Sequence, residues 1–148
     1  MTSLFDPSTD AQLISRLESL QLDAQPKWGK MNVSQMLAHC RVGFEVYFGA
    51  KEIKQSLMGK LFGKIAKKQL FSDKPVAKNL PTVKEFVVAD MRDFANEKEK
   101  LINYINRFAV EGKTIAPPIH PFFGKLSATE WAALMFKHTD HHLKQFGV

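Results

Sequence analysis

The chain has 148 residues, 45% of them apolar, and a formal net charge of +6. That is enough for a single domain over 1–148 with a sizeable core and too little for a comfortable second one. No run approaches the ~20 apolar residues needed to cross a membrane, and a lone cysteine, Cys40, excludes an intrachain disulfide.

The opening residues MTSLFDPSTDAQL lack the basic start and apolar run of a secretory signal, so a cytoplasmic protein is expected, in keeping with one reduced thiol. The first helix is predicted near 9–22, capped by Ser8 or Asp10, with Leu13, Ile14, Leu17 and Leu20 on one stripe. Asp23 to Gly29 reads as a loop. Asn32 with Gln35 three residues on has the pattern of a capping box and opens a second helix over 33–48, with His39 two turns inside it.

Residues 51–79 carry eight lysines against Glu52 and Asp73, which accounts for the whole net charge, because basic and acidic residues balance elsewhere. From Ile53 to Phe71 the apolar spacing is helical, but Gly59 and Gly63 interrupt it, so one or two short helices are expected there. Such a segment suits an anionic membrane surface or nucleic acid. The reading preferred from the pattern alone is plainer: a helix laid apolar side down on the rest, with its lysines in water.

Asp90 is the expected cap of a third long helix over 91–109, and the three prolines between Gly112 and Gly124 cannot continue it. Ser127-Ala128-Thr129-Glu130 is a second capping box, opening the last helix over 128–145, closed by Gly147. Its inward stripe runs Trp131, Leu134, Met135, His138, His142, Gln145. Only Glu85 to Ala89 has any strand-like alternation. Four long helices in one domain predict an all-α four-helix bundle, where metal sites are commonly built from facing helices.

Three of the five histidines lie in the last eleven residues. His138 and His142 are four apart, about 40° around a helix, and can reach one ion, whereas His141 lies about 60° from His138 the other way and competes less well. His39 is the one histidine on an earlier predicted helix and supplies a third nitrogen; three neutral imidazoles with an open position is the arrangement of a catalytic metal site. The alternative is a set of histidines that merely favours the negative end of a helix. Cys40, about 100° from His39, reads as a core thiol. His120, in a loop rich in proline and phenylalanine, is a pocket candidate along with His141 and Trp131, although packing on the core suits it better. Asp140 and Glu45 are candidates to orient a liganding imidazole. No general base stands out.

The segments PKWGKMNVSQMLAHC and HPFFGKLSATEWAALMFKHTDHHLKQFGV, about a third of the chain, resemble the DinB-like (DinB/YfiT) superfamily of metal-dependent proteins, within it a branch of unknown function. The resemblance implies a four-helix bundle with three histidine ligands, one on the second helix and two from an H-x-x-x-H motif on the last. Here these fall on His39, His138 and His142. Relatives with described activities include thiol-dependent S-transferases and an isomerase using a small cytosolic thiol, with zinc or nickel bound. For this chain the resemblance implies a divalent metal, zinc or nickel first, and a transferase, isomerase or hydrolase acting on a small molecule with a low-molecular-weight thiol as cosubstrate. The other reading is a non-catalytic metal-binding or anionic-surface-binding module. Neither nucleic acid nor membrane is a strong expectation as partner, and a homodimer is left open.

Overall fold

A computed structural model describes residues 2–72 and 74–148; Met1 and Asp73, the latter one of the two acids of the basic segment, lie outside the described residues. Among those described there are five α-helices and no strand: α1 Pro7–Ser19, α2 Val33–Tyr47, α3 Leu57–Leu70, α4 Phe94–Glu111 and α5 Ala128–Gln145, with a 3-10 turn over Lys84–Phe86. The alternation at 85–89 therefore makes a turn and extended backbone.

Both capping boxes form reciprocally. Asn32 accepts from the Gln35 N–H at 2.9 Å while the Asn32 N–H donates to Gln35 Oε1 at 3.0 Å, and Ser127 and Glu130 repeat the exchange at the start of α5. These two helices begin where the sequence predicts. The other two long helices start elsewhere. α1 is capped by Asp6, with Pro7 in the first turn where its missing N–H costs nothing, and α4 by Asp93, whose side chain accepts from the Asn96 N–H at 2.8 Å. Asp90, the expected cap, pairs instead with Arg92.

α2 is the central element. Only Gln35 and Glu45 of its 15 residues escape burial. It packs against α4 and α5, and α1 packs against the same two helices, so the four surround one core that includes Leu13, Leu17, Met36, Phe44, Leu101, Phe108, Trp131 and Leu143. Polar ties reinforce this order. Arg16 of α1 donates to Asp140 of α5 at 2.8 Å, and Lys98 of α4 donates to the Leu20 carbonyl beyond the end of α1 at 2.9 Å.

The link between α2 and α4 is ionic as well as apolar. Arg41 donates from Nε to Glu97 Oε2 at 2.8 Å and from Nη1 to Glu45, while Arg92 reaches the same Glu97 carboxylate at 3.5 Å. Glu97 is 3% exposed and Arg41 9%.

α3 departs most from expectation. It is one continuous helix, and the two glycines do not break it: they let its backbone approach the loop at Phe122. A Cβ at Gly59 would lie 2.6 Å from the Phe122 carbonyl oxygen, and one at Gly63 2.3 Å from it. With that side turned inward, Leu57, Met58, Leu61, Phe62 and Ile65 are exposed. The apolar stripe thus faces away from the core, opposite to the preferred sequence reading.

Truncating one member of a buried ion pair strands its partner. Glu97→Ala is expected to cost about 3 kcal/mol of folding stability by denaturant titration, the low end of that range because Glu45 still pairs with Arg41. Glu111→Ala, which breaks the half-exposed Arg107–Glu111 pair, is expected to cost less than about 1 kcal/mol.

Candidate metal centre

His39 sits mid-way along a helix buried nearly all round, so both of its ring nitrogens need partners. Nδ1 finds the Phe86 carbonyl, at the end of the 3-10 turn, at 2.9 Å. A carbonyl only accepts, so Nδ1 carries the hydrogen and Nε2 presents a lone pair. That Nε2 lies 2.9 Å from Nε2 of His138 on α5.

A similar device fixes His142. The Gln145 amide donates from Nε2 to the Trp28 carbonyl at 2.6 Å, which turns its Oε1 towards His142 Nδ1 at 2.8 Å. His142 therefore donates from Nδ1 and also leaves Nε2 free. Gly29, at φ +81°, leaves the space this needs, since a Cβ there would stand 2.7 Å from Gln145 Nε2. The three rings form a nearly equilateral set, with centroids 4.8, 4.8 and 4.7 Å apart.

One ligand atom from each of His39, His138 and His142 lies within 4.8 Å of the others, close enough to hold one metal ion. The group lies inside the protein: burial is the largest influence on the imidazoles of His39, His138 and His142 alike. Among the described residues no carboxylate or thiol joins it.

Burial and mutual repulsion keep protons off these rings. Burial lowers the pKa of His39 and lowers that of His142 to about 3, in the latter with help from the neighbouring His39. His138 is held well below the ordinary imidazole value by burial first and by the adjacent imidazoles next. His39 and His142 present Nε2 lone pairs, their other nitrogens held by outer partners, and neutral His138 brings its Nε2 to 2.9 Å from that of His39; such a set of imidazoles suits a borderline divalent metal.

The remaining candidates go to other tasks. His141 is half-buried with its ring 5.4 Å from Trp28, outside the three-histidine group. His120 is buried and organises its own loop: Nδ1 accepts the Phe122 and Phe123 N–H groups at 3.0 and 3.1 Å, and its backbone pairs with Gly124 in both directions. Trp131 is fully buried and donates to the Pro118 carbonyl at 3.3 Å. Cys40 is buried, donates only to Met36 Sδ at 3.8 Å, and burial pushes its thiol pKa far up, so it is a core residue.

Neither carboxylate considered for orienting a ring acts on the site: Glu45 pairs with Arg41, and Asp140 with Arg16 and Lys144. Phe86 and Gln145 do that work. A backbone carbonyl leaves no trace in the sequence, but Gln145 does, one turn after His142 on the same stripe.

The chain belongs to DUF1569, a protein family of unknown function. The family model matches residues 4–147, so the DUF1569 match includes all three histidines of the group and their orienting partners. No curated protein and no solved structure matches the chain.

Because the folded-state imidazole pKa values lie below the ordinary 6.5, the unfolded chain takes up protons first as pH falls. Metal-free protein is expected to hold constant stability from pH 8 to about 7 and to lose it from about pH 6.5 downward. Each such histidine adds a slope of up to ~1.4 kcal/mol per pH unit. Denaturant midpoints between pH 8 and 5, above the range where most carboxylates titrate, check this.

Proposed function

We propose that this protein is a DinB-like four-helix bundle that binds one divalent metal, zinc or nickel, through His39, His138 and His142, and that it is a metal-dependent enzyme acting on a small molecule. The observation that carries the proposal is that one ring nitrogen from each of His39, His138 and His142 lies within 4.8 Å of the others, while Phe86 and Gln145 fix the tautomers of His39 and His142. The ring of α1, α4, α2 and α5 around one core supports the bundle assignment.

A metal held this way supplies Lewis acidity, lowering the pKa of whatever small ligand takes the open position. The chain's own contribution is arrangement. Burial keeps the three imidazoles unprotonated and able to donate near neutral pH. Phe86 and Gln145 hold two of the rings against rotation. Because every donor is neutral, the charge of the metal is uncompensated by the protein, and anionic ligands such as a thiolate are favoured. The anion we assign to that position is the thiolate of a low-molecular-weight cosubstrate, for S-transfer or isomerisation in a cytoplasmic setting where such thiols stay reduced.

A non-catalytic metal-binding module is the second reading. It draws on one observation: among the described residues no carboxylate stands in the group to serve as a general base.

Metal titration of purified, demetallated protein tests the proposal. One zinc or nickel per chain is expected, with affinity falling by at least two orders of magnitude in His39→Ala, His138→Ala or His142→Ala. Gln145→Ala is expected to weaken binding about 10- to 100-fold through loss of orientation. His141→Ala and His120→Ala should leave affinity within a few-fold of wild type. A protein that takes up no divalent metal, or that loses it in His141→Ala and keeps it in His142→Ala, overturns the assignment. Metal-loaded protein that binds thiols no better than His138→Ala does would leave the non-catalytic reading standing.

A further inference from the structure

α3 presents to solvent the part of its surface that a packed helix would bury. Leu57, Leu61 and Ile65 lie on successive turns with Met58 and Phe62 beside them, and the five side chains are between 48% and 72% exposed. A contiguous apolar stripe of this kind marks a contact surface.

The orientation is locked. Gly59 and Gly63 sit against the Phe122 backbone so closely that no side chain fits between. The Ser56 N–H donates to the Pro121 carbonyl at 2.9 Å just before the helix. At its other end Lys137 donates to the Leu70 and Ser72 carbonyls, each at 2.7 Å, which also places a cation at the negative pole of the helix. Rolling the stripe inward would break all of these contacts.

Charge selects the occupant. α3 carries Lys60, Lys64, Lys67 and Lys68 and no acidic residue. Lys60, Lys64 and Lys68 are exposed, whereas Lys67 is tied to Glu130 at 2.8 Å. Stacking a second copy on this face would oppose two cationic helices with no acid on either. A bilayer surface containing anionic phospholipid meets both requirements, taking the apolar side chains at the acyl boundary and the lysines among the phosphates. We infer that α3 is a fixed in-plane docking helix by which this protein binds anionic membrane surfaces, and that Leu57, Met58, Leu61, Phe62 and Ile65 enter the lipid while Lys60, Lys64 and Lys68 pair with headgroups.

Among the described residues no helix is long and apolar enough to cross a membrane, and a helix of 14 residues that lies in the interface need not span. It also gives the local basicity a purpose that a solvated face leaves without one.

Co-sedimentation of the full chain with vesicles of phosphatidylcholine alone, or of phosphatidylcholine mixed with phosphatidylglycerol, tests it. Binding to the anionic vesicles is expected to be at least roughly tenfold tighter and to weaken as salt is raised. Two variants at exposed positions, Leu61→Gln with Ile65→Gln and Lys60→Gln with Lys64→Gln and Lys68→Gln, should each reduce it by roughly tenfold or more. Their circular dichroism and denaturant midpoints should match wild type. Equal binding to the two vesicle types, no binding to either, or unchanged binding by the Leu61/Ile65 variant overturns the inference. So does a wild-type dimer that the Leu61/Ile65 variant converts to monomer, since the stripe would then be covered by a second copy.

Discussion

The burial of His39 on the most enclosed helix of the molecule is the constraint on which the rest of the site depends. An imidazole in that position must stay neutral and must have both nitrogens occupied. The Phe86 carbonyl occupies one, which explains why the extended stretch after α3 turns tightly at Lys84–Phe86 against α2. The other faces α5, and it sets the register of that helix: His138 must come level with His39, and one turn later His142 completes the triangle. Gln145, another turn on, then needs the Trp28 carbonyl to hold its amide in place, and so the loop before α2 is fixed to the end of α5.

The core contains a second polar system, and the two are kept apart. Arg41 is two residues from His39, about 200° around α2, so its ion cluster with Glu97 and Glu45 lies on the far side of the helix. The separation has a chemical consequence. A carboxylate beside the histidines would raise their pKa and compensate the charge of a bound metal, whereas backbone carbonyls and an amide orient the rings and leave that charge available. The ionic cluster can therefore join α2 to α4 strongly without altering what the imidazoles do.

How much of this is legible in the sequence depends on whether the information is local. The capping boxes at Asn32 and Ser127 are local, and the limits of α2 and α5 come from them. The stripe on α5 already turns His138 and His142 inward. For α1 and α4 several acids and a serine compete as caps; Asp6 wins beside Pro7, and Asp93 wins while Asp90 pairs with Arg92, local cues that the apolar stripe does not carry. At α3 the stripe is plain, but which way it faces is decided by Gly59 and Gly63 meeting the Phe122 backbone, a contact between segments about sixty residues apart. Asp140 is likewise claimed from afar, by Arg16 of α1, whereas Glu45 pairs with Arg41 one turn back on its own helix, a local partner that its spacing already offers.

The central claim is that three imidazoles, and no thiol or carboxylate of the protein, hold one metal. X-ray absorption at the metal edge of protein loaded with one zinc per chain addresses it most directly. Three imidazole ligands at about 2.0–2.1 Å with a light atom completing the shell is the predicted result. A sulfur neighbour near 2.3 Å in the absence of added thiol, or fewer than three imidazoles, would contradict the account.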